Sequence, residues 1–144
     1  MENSRKHLKE ASLLVLIFAA LSFIRLIVQV FTGFGPTVTG EFSRELVLAT
    51  MIVVFAINFI LLLPQIYVGI RGLKNAKSPE SSKGHIVWAV ILLAFAIFSV
   101  FSPISNLMAK VDVLDNVIVL VDHALDIIVY CMFIKYAAGV AKNV

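Results

Sequence analysis

The chain has 144 residues, of which 60% belong to the hydrophobic set and 15% are charged, and its mean hydropathy is +0.99. That composition excludes a water-soluble globular domain of this length and points to an integral membrane protein. The net charge of +3 does not call for a nucleic-acid partner, because the lysines and arginines flank apolar runs and form no cluster interleaved with aromatics.

The charged start MENSRKHLKE precedes an apolar run from about 11 to 31. It resembles a signal peptide, but the run is long and no small-x-small cleavage site follows, so it reads as a retained first helix. Such a run crosses about 30 Å of hydrocarbon at helical rise. Ser22, Arg25, Gln29 and Thr32 fall on one face of it. Arg25 sits nearly two turns from the end, which favours a partner inside the protein over snorkelling to the headgroups. The following TGFGPTVTGEFSRE carries three glycines and a proline and reads as a loop.

A second span covers about 45 to 67, with Thr50, Asn58 and Gln65 on one stripe and Pro64 set to loosen its last turn. The polar stretch VGIRGLKNAKSPESSKGH then reads as a surface hairpin loop, with the helix running at most about a turn past Tyr67. A third span, about 85 to 108, aligns His85, Trp88, Ser99, Ser102, Pro103 and Asn106 on one side, beside the small residues Ala89 and Ala96. The single cysteine, Cys131, lies in the last apolar run, so an internal disulfide is excluded.

The fourth span, about 114 to 136, belongs to the most informative stretch, VDVLDNVIVLVDHALDIIVY. At helical period Asp112, Asp115, Asn116, Asp122, His123, Asp126 and Tyr130 fall inside an arc of roughly 120°. An ionised carboxylate at the bilayer centre costs about 3 kcal/mol even on the lenient insertion scale, so the acids must face a partner, water or a proton.

Basic residues set the expected orientation. Arg5, Lys6, Lys9, Arg71, Lys74, Lys77, Lys83, Lys135 and Lys142 lie at the start, in the middle and at the end, against Arg44 and Lys110 in the two opposite connections. The positive-inside rule then puts both termini in the cytoplasm of an inner or plasma membrane, in an all-α, four-helix up-and-down bundle. Counting from each membrane edge sets Arg25 and Asp122 at nearly one depth, with Asn58 and Asp126 close to the midplane.

The expected polar or ion site is therefore Asp122, Asp126, Arg25, Asp115, His123, Gln29 and Asn58. It suits a cation, a proton or a small solute. A static Arg25–Asp122 pair that fixes helix register is an equal reading of the same residues. An accessory or immunity-type subunit docking on a larger partner is the alternative function, and homo-oligomerisation would serve either. The histidines show no regular ligand spacing such as His-x-x-x-His, so no metal site and no cofactor is expected. Asp112-x-x-Asp115 and Asp122-x-x-x-Asp126 resemble in residue type the aspartate motif of the CDP-alcohol phosphotransferases. That family's glycines, alanine-arginine step and spacing are missing, and no residue role is carried over. Pro64-Gln65 with Lys77-Ser78 resembles the PQ-loop transporters, whose repeat is three helices rather than four. No nucleophile elbow or phosphate loop occurs, and the sequence leans away from an enzyme.

Overall fold

A computed structural model describes residues 2–32 and 43–144, leaving aside the side chain of Gln29. The loop expected between the first two spans therefore lies outside the described residues, apart from its two ends.

Among the described residues five helices follow in order: α1 (Glu2–Thr32), α2 (Arg44–Lys77), α3 (Gly84–Ser99), α4 (Phe101–Met108) and α5 (Val113–Ala141). With α3 and α4 taken together, four helices are long and apolar enough to cross a membrane. The break between α3 and α4 falls at Val100, three residues before Pro103. Pro103 has no N–H for the carbonyl of Ser99, and the chain tightens there through Val100 N–H to Ile97 O at 3.2 Å. Pro64 does not end α2. The turn into α5 places Lys110 and Asp112 in the left-handed region, with φ of 56° and 40°. Asp112 thus precedes the helix whose polar arc it was expected to join.

The hairpin-loop reading after Tyr67 is corrected. α2 runs ten residues further, to Lys77, because Val68, Gly69, Gly72, Asn75 and Ala76 form a buried stripe, with Gly69 and Gly72 against α1 and Asn75 against α3. Polarity marked this segment as a loop, whereas its helical spacing of small and apolar residues decides the outcome. Only 78–83 connect α2 to α3, and a latch holds them. Asn75, 3% exposed, bonds His85, 2% exposed, at 3.2 Å and accepts the N–H of Glu80 at 2.6 Å. The Glu80 carboxylate meets Lys74 at 3.0 Å and Arg71 at 3.4 Å. His85 in turn sets its ring edge-on to Phe133, centroids 6.0 Å apart.

Contacts between α1 and α2 and between α4 and α5 are antiparallel, since Gly72 meets Ser12, Phe23 meets Phe59, and Asn106 meets Asn116, whereas Gly72 also meets Phe133 of α5, which runs parallel to α2. α1 lies against α2 and α5, and α3 lies against α2 and α5. The core is lopsided. Leu8, Val15, Val68, His85, Phe133 and Val140 are fully buried, all toward the end where the α2–α3 connection and the two chain ends gather. Toward the other end Ile52, Phe98, Phe101 and Leu114 stay exposed, as side chains do when lipid rather than protein covers them. The hydroxyls of Ser12, Thr50 and Ser99 and the amide of Asn58 donate back to carbonyls four residues earlier, so they need no solvent.

Two expectations follow. A Cβ at Gly72 would collide with Ser12 Oγ and the Phe133 ring, whereas one at Gly139 would meet Ser4 at an ordinary 3.6 Å. Gly72→Ala should therefore lower unfolding stability by about 1–3 kcal/mol, and Gly139→Ala should change it little, in denaturation of the membrane-embedded chain. Lys74, by hydrogen bond and charge, and Arg71, by charge, hold the exposed Glu80 carboxyl below its usual range. An acid lowered by folding adds stability above its unfolded pKa and loses it as pH falls through the folded value. Hydrogen-exchange protection of the 78–83 segment, corrected for the intrinsic rate, should fall at pH below the ordinary carboxylate range, and Glu80→Gln should abolish that pH dependence.

Candidate polar site

Helical spacing on α1 puts Ser22, Arg25 and Leu26 on the side facing α5, which answers with Val119, Asp122 and Asp126. Arg25 Nη1 donates to Asp122 Oδ2 at 2.7 Å. The two side chains are 47% and 50% exposed, so the pair forms the wall of an open groove and not the centre of a closed interior.

A pocket lies on either side of this pair. One, about 150 Å³, is lined by Phe18, Ser22, Arg25, Asp122, Leu125 and Asp126. The other, about 310 Å³, opens between α1, α2 and α5 and is lined by Ser22, Arg25, Asn58, Leu62, Val119 and His123. Arg25 and Ser22 belong to both. Since a water takes roughly 30 Å³ of liquid volume, these spaces suit an ion with a few waters or a small polar solute.

The structure therefore sets Asp122 and Asp126 with Arg25 on the smaller pocket, and Asn58 and His123 with Arg25 on the larger one. Asp115 stands apart, exposed in the first turn of α5, where the helix dipole favours a carboxylate. The side chain of Gln29 lies outside the described residues. Asp126 makes no ion pair among the described residues, Asp122 being the acid that Arg25 meets. No group of three or more His, Cys, Asp or Glu side chains is placed to hold a metal among the described residues. His85 belongs to the latch at the opposite end, far from the acids in its bonding.

Sequence reasoning missed Ser22's place in both pockets and the contribution of α2 through Leu62. Ser22 was legible as a stripe member, but nothing in the order of residues said which two helices would share it. No known protein family, curated protein or solved structure matches this chain.

In water a half-exposed ion pair contributes about 0–1 kcal/mol. Within a bilayer, losing one partner strands a charge in a medium of lower dielectric and costs several times more. In bilayers, Arg25→Leu should therefore destabilise the chain, and Arg25→Leu with Asp122→Leu should recover part of the loss. A double-mutant cycle by unfolding should give a coupling of about 1 kcal/mol or more; strict additivity would count against the pair.

Proposed function

We propose that the chain is a four-span, up-and-down helical bundle of the cell membrane with both termini in the cytoplasm. In this reading it binds and passes a cation, a proton or a small polar solute at Arg25, Asp122 and Asp126. The membrane placement is supported by the four long apolar helices, and the orientation by the basic residues at one end of the molecule.

The observation that carries the functional reading is a charge count. One guanidinium faces two carboxylates that line one pocket, and Asp122 already engages it. One negative charge is left over at Asp126, in surroundings where a bare carboxylate is costly, and a proton or a cation is what balances it. His123 and Asn58 border the adjoining space and offer a further proton carrier and a neutral polar contact along the groove.

The groove's open side favours one second reading. An ion pair that is half exposed along α1 and α5 also offers a polar seam to another membrane helix, as an accessory or immunity-type subunit would require.

Asp126→Asn should leave insertion and folding intact and abolish ion- or proton-dependent uptake into reconstituted vesicles. Unchanged flux removes the transport reading. Cross-linking from the outer half of α5 should then yield only contacts within or between copies of this chain; capture of one defined, different membrane protein would favour docking.

A further inference from the structure

One stripe of α1 changes character along its length. Glu2, Arg5, Lys6 and Lys9 continue at helical spacing into Leu16, Ala19, Ala20 and Phe23. α2 lies alongside with Ala76 and Lys77 at the basic end and Leu62 and Phe59 at the apolar end. Two hollows result on the same seam. The basic one, about 600 Å³, is lined by Glu2, Arg5, Lys6, Lys9, Ala76 and Lys77. The apolar one, about 300 Å³, is lined by Leu16, Ala19, Ala20, Phe23, Phe59 and Leu62. Between them the helices close over Gly69 and Gly72.

The basic hollow is built rather than merely charged. Arg5 Nε donates to Ala76 O at 2.9 Å and its Nη2 to Lys77 O at 2.5 Å. Arg5 thereby caps α2, satisfies two terminal carbonyls and offsets the negative end of the helix dipole. Lys6, Lys9 and Lys77 are exposed and make no ion pair among the described residues. Glu2 is the one acid on the lining, and the nearby Glu10 is engaged by His7 at 3.0 Å. The hollow is thus left with excess positive charge.

Its position matches the layering of a bilayer. Lys9 stands just before the apolar run that starts at Ala11, at headgroup depth, and the first apolar lining residue, Leu16, lies roughly 10 Å further in at 1.5 Å per residue. We propose that the α1–α2 seam binds one anionic phospholipid. Lys6, Lys9 and Lys77 hold its phosphate, and an acyl chain passes outside the Gly69–Gly72 contact into the hollow lined by Leu16, Ala19, Ala20 and Leu62. The apolar hollow in line with the basic one is what selects a lipid over a free phosphate. This inference rests on the membrane placement and not on the polar groove.

The test uses the full chain purified in a mild detergent, with lipid binding followed by native mass spectrometry and thermal stabilisation. Phosphatidylglycerol should bind at least about tenfold more tightly than phosphatidylcholine, and glycerol phosphate should bind far more weakly than either. Combined Lys6→Gln, Lys9→Gln and Lys77→Gln should cut phosphatidylglycerol affinity by roughly ten- to a hundredfold. Combined Lys83→Gln, Lys135→Gln and Lys142→Gln, which removes the same charge elsewhere, should not. Equal affinity for the two lipids, tight binding of glycerol phosphate alone, or equal losses in the two triple variants would each overturn the proposal. Should the first triple variant melt in phosphatidylcholine, the two-lipid comparison on the unaltered chain still decides. Asp126→Asn should bind the lipid normally, which separates failure of this site from failure of the polar groove.

Discussion

Hydrocarbon neither donates hydrogen bonds nor solvates charge, and that constraint bears on the polar residues in the apolar part of this chain. Hydroxyls and amides on α1, α2 and α3 turn back onto their own helix carbonyls. Arg25 cannot do so. A guanidinium stays charged at any accessible pH and must find an anion, and the geometry supplies one across the α1–α5 contact in Asp122. This charge-assisted hydrogen bond joins α1 to α5 alongside the His7–Tyr136 ring contact nearer the chain ends.

The two ends of the molecule divide the work. At one end small residues let helices approach closely, with Gly72 admitting Ser12 from α1 and Phe133 from α5. Asn75 and His85 meanwhile lock the short α2–α3 connection. Van der Waals contact accumulates there, which is the main source of helix association in lipid. Toward the other end the helices hold fewer buried side chains, and the polar pockets occur where packing thins.

Much of the fold was legible because apolar runs of membrane length leave few alternatives. The four long helices contain the four runs read from the sequence. The extent of α2 was not legible: Arg71, Lys74 and Lys77 masked a stripe of glycine, alanine and asparagine that meets Ser12 and Leu16 of α1, Phe133 of α5 and His85 of α3. The break at Val100 comes from Pro103, yet Pro64 leaves α2 continuous, so proline alone did not reveal where a helix divides. For the site, periodicity gathered Asp122, His123 and Asp126 on one face, and counting depth from the membrane edges pointed Arg25 toward Asp122 without excluding Asp126. Both acids share that face one turn apart, and only the relative shift of α1 and α5 decides. Asp115 shares the face as well but stands near the helix start, too far along α5 to reach the groove.

The central claim is that the acids of α5 turn toward a polar space rather than toward lipid. The most direct measurement places single cysteines in a Cys131→Ser chain and compares their modification by a water-soluble thiol reagent in reconstituted bilayers. Asp126→Cys should react readily, while Ile128→Cys, close in depth but on the exposed apolar side of α5, should stay inert. Equal reaction at the two positions, or an inert residue 126, would contradict the account.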